Sequence, residues 1–472
     1  MTAIAPASPF SSLLPAPVSW LLCLICSLAV FLAPALWNGF PIVFFDTGGY
    51  VDGVLEMVPF PGRSFFYGMF LWAASWGWWS FWGPVLAQSL FTLWVIHLML
   101  RCHDLPAGPQ ATALLCFALG VSTSISWYTS QLMPDILVPL AVLALWLLSF
   151  RWEKLRRSER AGLAALALLG ILSHMSCMAL AIGLAGIVAI VKIFGRRQGQ
   201  VLTPSSWAAA AVVAAGLMLM PMTYLALTGK ATYTPGGPDF IFGKLVQDGI
   251  AQRWLRDNCP APGIKLCELQ DRMPKTADEF LWGVHSPFQD IGEWSGAADA
   301  ELSHLVKSCV RAYAGSVAWG ALRATVQQMA MVKTGDGLLE FHAITRGVFT
   351  NALPRTAKPF NAANQQQGGI KPSVFRVLNL LHIPVACLSV FGLIIAISRG
   401  LGSGRHEVAG LASFMLSALF GNALICGALS GPHNRYQNRL VWLATLAVCL
   451  TFAGLRQVRM EKENLQKGML PR

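Results

Sequence analysis

The sequence predicts an all-α polytopic membrane protein with about ten transmembrane helices, an extracytoplasmic loop bearing interfacial helices, and one inserted extracytoplasmic domain. Three observations predict it. Hydrophobic residues make up 55% of the 472 and charged residues only 12%, too apolar a balance for a chain dissolved in water. Apolar runs close to the ~20 residues needed to cross a bilayer recur along the chain. Lys and Arg gather in alternate short loops, as the positive-inside rule requires of cytoplasmic loops.

Residues 1–17 are rich in Ala, Pro and Ser and carry no basic residue, and the run 18–36 that follows is read as a retained first helix, not a cleaved signal peptide. Further runs lie near 83–100, 109–127, 134–150, 161–176, 178–194, 207–227, 376–398, 408–428 and 439–455. The pair within 161–194 is read as a tight hairpin turning near Ser173 to Ser176. Counted this way, Arg101, the group Arg151, Lys154, Arg156, Arg157 and Arg160, then Lys192, Arg196 and Arg197, Arg399 and Arg405, and the tail 456–472 all fall on one side. That side is the cytoplasm, so the expectation is a multi-pass protein of the cell inner (plasma) membrane with both termini cytoplasmic. The formal net charge of +12 is thereby a topology signal and not a nucleic-acid footprint. The Phe- and Trp-rich stretch 64–82 is placed as an interfacial or re-entrant helix, because a span there would move every later basic loop to the other side.

The chain accordingly divides into an N-terminal membrane part, 1–228, with a first extracytoplasmic loop at 37–82; an extracytoplasmic domain, 229–372; and C-terminal helices with a cytoplasmic tail, 373–472. Within 229–372 the stretch 298–332 reads as helical, and 356–371, with its Asn/Gln/Gly run, as a flexible loop. Cys259 and Cys267 are spaced for a small disulfide loop in an oxidising compartment, with two unpaired thiols as the other reading. No second pair follows that would complete a zinc site.

Chemistry concentrates in the loop 40–67, which carries Asp46, Asp52, Glu56 and Arg63 directly after the first apolar run. Setting aside acids of the large domain and the cytoplasmic loops leaves Asp46, Asp52, Glu56 and Asp135, all at outer helix ends. His174 and the loop containing His433, Arg435 and Arg439 join them on the same face. Asp46 fits either a cap for the following turn or a reactive acid held against hydrocarbon. Asp52 and Glu56, four apart, fit either a site or the solvated face of a short helix. Asp135 after Pro134 fits an N-cap or a substrate contact. His174 fits a packing residue or a ligand contact. Arg63 and Arg435, on outer loops where positive-inside retention explains nothing, match phosphate bidentately. The chain has no Walker loop, no Gly-x-Ser-x-Gly and no His-Glu-x-x-His, so nothing supports ATP-driven transport or serine hydrolysis.

Over residues 18–200 the arrangement resembles the GT-C superfamily of polyprenyl-phosphate-sugar-dependent glycosyltransferases, which includes protein O-mannosyltransferases and aminoarabinose transferases of lipid A. The residues that carry the resemblance are Asp46 and Tyr50 in the first outer loop, the run Pro61-Gly62-Arg63-Ser64-Phe65-Phe66-Tyr67, Met133-Pro134-Asp135, and a His at the outer end of the fifth helix. The chain departs from many members in having Asp46-Thr47 where they carry an acidic pair, and in an extracytoplasmic insert between the seventh and eighth helices. The resemblance implies an integral membrane glycosyltransferase whose donor is a polyprenyl-phosphate-linked sugar and whose acceptor is a lipid, glycan or protein. Asp46 would be the general base, and Tyr50, Asp52, Glu56, Arg63, Tyr67, Asp135, His174, His433 and Arg435 would bind substrate. A divalent cation at the first-loop carboxylates is a candidate cofactor. The competing expectations are a transporter or flippase of an amphipathic anionic envelope precursor, and a non-catalytic envelope assembly subunit.

Overall fold

The computed structural model describes residues 15–195, 207–338 and 343–468, with side chains beyond residue 454 and at 194, 195 and 343 left aside. Residues 1–14, Arg196, Arg197 and the side chains of the basic tail therefore lie outside the described residues. Helix α1, Ala16–Asn38, ends at Gly39, whose left-handed backbone (φ +78°) lets its N–H close the last turn on Ala35 and Leu36. Then come α2 (Thr47–Leu55), α3 (Phe65–Ala74), α4 (Trp82–Cys102), α5 (Pro109–Ser122), α6 (Ile125–Thr129), α7 (Leu137–Phe150), α8 (Arg157–Ser173), α9 (Met175–Gly195) and α10 (Ala208–Thr228). The segment between membrane helices carries α11 (Gly237–Gln247), α12 (Ile250–Asn258), α13 (Ala277–Trp282), α14 (Pro287–Asp290), α15 (Gly296–Ala312), α16 (Ala314–Ala330), α17 (Ala343–Gly347) and α18 (Pro354–Ala362). Three long helices close the chain: α19 (Pro372–Gly402), α20 (His406–Leu429) and α21 (Asn434–Gly468).

Among the described residues, six helices are long and apolar enough to cross a membrane: α1, α4, α9, α10, α19 and α20. They turn Leu21, Ile25, Ile190, Met218, Leu388 and Phe391 outward, a surface suited to hydrocarbon and not to water. Helix α7 is the opposite case. Every residue from Leu137 to Ser149 is buried, so this all-round apolar helix is the axis against which α4, α8, α9 and α10 pack. The other predicted spans fall on α5, α7, α8 and the first part of α21.

The structure corrects several expectations. The run 109–127 is not one helix: it stops at Ser122, where Thr123 turns extended and spends its hydroxyl on the Leu119 carbonyl. The 298–332 stretch breaks at Tyr313 into α15 and α16. The predicted hairpin turn is a single extended residue, His174, between α8 and α9. Within 64–82, helix α3 covers only ten residues, about 15 Å at the α-helical rise, which agrees with a segment that does not cross.

The largest correction concerns 356–371, which is not a flexible loop. Helix α18 occupies its start, and the Asn/Gln run then clamps the end of α1. Asn364 N–H donates to the Asn38 carbonyl at 2.9 Å, and Gln365 N–H to Asn38 Oδ1 at 2.7 Å. The Gln365 side chain accepts from Val43 N–H at 3.0 Å and donates to its carbonyl at 2.9 Å, as a neighbouring strand would. Ile42 in turn exchanges backbone bonds with Ser130 and Leu132. These partners satisfy the extended stretch leading to Asp46, which is why the carboxamides are packed and not solvated.

Residues 242–309 form a second hydrophobic cluster around Phe242, Leu255, Phe280, Phe288 and Leu302, with Cys259 and Cys267 joined by a disulfide at its edge. Leu338, Phe349, Leu353, Phe360 and Ile370 pack instead into the main cluster with Phe40 and Phe44.

Candidate functional site

Asp46 opens α2 but does not cap it: its backbone is already helical and its side chain makes no cap hydrogen bond. Thr47 and Thr345 do the local work. Thr47 Oγ1 accepts from Phe44 N–H at 2.8 Å, and Thr345 Oγ1 accepts from Gly48 N–H at 2.9 Å. Gly48 is required there, since a Cβ would sit 2.6 Å from the Thr345 Cα. The Asp46 carboxylate is thereby free to turn away from its own helix. It meets Arg63 Nη2 at 2.5 Å through Oδ1 and Arg435 Nη1 at 3.2 Å through Oδ2.

From Arg435 the chain of charge continues inward. Arg435 Nε lies 3.9 Å from Asp135 Oδ1, and the same oxygen accepts from Arg439 Nη1 at 3.1 Å. The order is therefore Arg63, Asp46, Arg435, Asp135, Arg439, with signs alternating throughout. Asp46, Arg63 and Arg435 keep 12–14% of their side-chain surface, whereas Asp135 and Arg439 keep none. The outer half is reachable and the inner half is scaffold. The turn at Pro134–Ile136 has no side-chain cap, so Asp135 too serves ion pairing and not capping.

Arg439 also gathers three helices. It donates to His174 Nε2 at 2.7 Å, to Ser176 Oγ at 2.7 Å and to Asn422 Oδ1 at 3.2 Å. A guanidinium only donates, so His174 Nε2 accepts, while Nδ1 faces Ser176, 2.9 Å from its Oγ and 3.3 Å from its backbone N–H. Aromatic rings line the outer half: Phe44 lies 4.2 Å and Tyr436 5.2 Å from the Arg435 guanidinium carbon, and Trp282 lies 5.5 Å from that of Arg63. Trp282 ends α13 and packs on Trp294 at the edge of the second cluster, and just before α11 the Pro235 carbonyl accepts from Gly62 N–H of the first loop at 3.1 Å.

No family model, no curated protein and no solved structure matches the chain. The site has to be read from its own geometry.

That geometry brings together Asp46, Arg63, Asp135, His174 and Arg435 from four separate stretches. Tyr50 is buried beside them, its ring edge-on to Tyr67 at 4.9 Å. Tyr67 faces inward: it is fully buried and its hydroxyl donates to Gln88 Oε1 at 2.9 Å, so it supports Tyr50 from behind. Asp52 is partly exposed and Glu56 exposed, on the outer side of α2 away from its buried face, which makes them a solvated helix face. His433 fixes the loop through its backbone, bonded both ways to the Gln328 side chain, while its ring lies 3.9 Å from Asp278. Sequence reasoning put Arg439 on the same face but gave it no role in the site, and left out Ser176 and Asn422. The signal for Arg439 was a charge one turn into an apolar helix; Ser176 and Asn422 carry none.

A divalent cation fits poorly at the first loop. Two guanidinium groups already hold Asp46, and no group of three His, Cys, Asp or Glu side chains able to hold one ion occurs among the described residues. The partly open outer half presents two guanidinium groups, Arg63 and Arg435, to one carboxylate.

Proposed function

We propose that the chain is an integral membrane glycosyltransferase that moves a sugar from a polyprenyl-phosphate donor to an extracytoplasmic lipid, glycan or protein, with Asp46 as general base. The observation that carries the reading is the convergence of Arg63 and Arg435, from opposite ends of the chain, on the Asp46 carboxylate at the partly open end of a buried ion chain. In this reading all ten apolar runs are membrane-embedded in the inner membrane, both termini are cytoplasmic, and the first loop and the second cluster face outward. The six apolar helices and the one-sided basic loops support that topology.

The transfer needs no nucleotide, because the lipid phosphate is the leaving group. The acceptor's O–H or N–H gives its proton to Asp46 as the heteroatom bonds the anomeric carbon. The bond from that carbon to the phosphate oxygen breaks, its electrons staying on the oxygen. The departing phosphate gains one negative charge, which Arg63 and Arg435 stabilise. Asp135 and His174 act by holding Arg435 and Arg439 in place. Exposed apolar helix faces would accommodate the polyprenyl tail.

The test is lipid and glycan profiling of a deletion strain carrying either the wild-type chain or Asp46→Asn. Loss of a general base lowers the rate about 100-fold to 10,000-fold. Both the deletion and the variant are expected to accumulate a lipid-linked sugar while one envelope glycan loses a residue. Full complementation by Asp46→Asn would sink the assignment.

A transporter or flippase of an amphipathic anion is favoured by one observation: the Asp135–Arg439 pair lies wholly inside the helix bundle, where a charged path would run. It predicts a precursor trapped on the cytoplasmic face with no change in its chemistry.

A further inference from the structure

Both candidate phosphate-binding guanidinium groups are already taken, and by one residue. Asp46 bridges Arg63 at 2.5 Å and Arg435 at 3.2 Å, one oxygen to one nitrogen of each guanidinium, and two non-bridging oxygens of a phosphate could take the same two nitrogens. Both oxygens of the Asp46 carboxylate are thereby engaged by guanidinium groups, so neither is free to meet an acceptor's O–H or N–H in this arrangement. We infer that Asp46 is an internal stand-in for the donor's phosphate, and that phosphate binding displaces it and so releases the base: donor first, acceptor second. This rests on the donor-phosphate reading above.

Three features fit an exchange confined to the outer half. Asp46, Arg63 and Arg435 keep 12–14% of their side-chain surface, while Asp135 and Arg439 keep none. Arg435 points different nitrogens at its two acids, Nε toward Asp135 and Nη1 toward Asp46, so Asp135 retains it while Nη1 changes partner. The five-membered chain has three guanidinium groups against two carboxylates, and one phosphodiester charge balances it. Asp336, whose Oδ2 accepts from the Arg435 backbone N–H, is partly exposed and stands outside the fork.

The experiment is calorimetric titration of the full-length protein in nanodiscs with farnesyl phosphate, with inorganic phosphate and farnesol as separate arms. Removing an internal competitor held by charged hydrogen bonds predicts that Asp46→Asn binds farnesyl phosphate about tenfold tighter or more than wild type. Asp46→Ser is expected to do the same, which guards against a folding defect in one variant. Arg63→Gln and Arg435→Gln are expected to bind at least about tenfold more weakly. Farnesol is expected to bind all variants alike, and inorganic phosphate to follow the farnesyl phosphate order if the headgroup alone is recognised. Weaker binding in the arginine variants with no tightening in either Asp46 variant would overturn the exchange and leave phosphate recognition standing. Equal binding in wild type and the arginine variants, or no binding by any of them, would overturn both.

Discussion

Asp135 and Asp239 are equally hidden from water, and the chain treats them in opposite ways. Asp135 lies in the turn before α7 with Arg439 at 3.1 Å and Arg435 at 3.9 Å. Asp239, in the first turn of α11, meets another acid: burial first, and then the Asp299 carboxylate, push it up to about 8. A buried acid has to be offset either by a cation or by a proton. The first solution pairs the acid with guanidinium groups. The second makes the protein answer to pH.

The comparison breaks most severely if the cation is removed from the first case. Arg439→Met leaves Asp135 only the 3.9 Å contact with Arg435 and takes a charged donor from His174, Ser176 and Asn422, so unfolding in detergent is expected to come about 3–5 kcal/mol earlier. The double variant Asp135→Leu with Arg439→Met is expected to recover much of that loss, because no buried charge is left unpaired. Additive losses across the two substitutions would mean that the pair is not the cause.

Asp239 gives the next largest effect. Its carboxyl is protonated in the fold up to about 8 but ionises near the ordinary carboxyl value of 3.8 when unfolded. Below that lower value both states hold the proton and the contribution is fully present. As pH rises toward about 8 only the unfolded chain releases it, so stability is lost at roughly 1.4 kcal/mol per pH unit. Asp239→Asn removes that slope. The difference in thermal unfolding between the variant and wild type is expected to grow in the variant's favour from pH 5 to pH 8; a constant difference would show that Asp239 is ionised in the fold.

These two acids also mark how far the sequence is legible. Asp135 stood out because it sits beside an apolar run, and Arg63 and Arg435 because loop position left their charge unexplained. Asp239 looked like any acid of a polar segment, since nothing local reports the Asp299 carboxyl brought to it from α15. Apolar period and length located the helices, but the Thr123 and Tyr313 breaks depend on local hydrogen bonding and packing. The 356–371 stretch was misread because Asn and Gln look alike whether they face water or satisfy a distant backbone. Gln365 finds Val43 only after the chain has folded.

A third buried polar group sharpens the contrast because it involves no charge at all. Tyr67 donates to Gln88 Oε1, while Gln88 Nε2 donates to the Thr129 and Gln131 carbonyls at 3.3 and 2.9 Å, a neutral network between α3, α4 and the turn after α6. Tyr67→Phe keeps the ring against Tyr50 and removes only the donor, leaving Gln88 Oε1 buried without a partner. The expected loss is about 1–2 kcal/mol, below that of either acid, since an unmet neutral acceptor costs less than a stranded ion. Because nothing in this network titrates between pH 5 and 8, the loss is expected to be the same at both ends of that range. A loss that changes with pH would tie Tyr67 to the neighbouring ion chain through Tyr50, and would return it to the candidate site from which its packing now separates it.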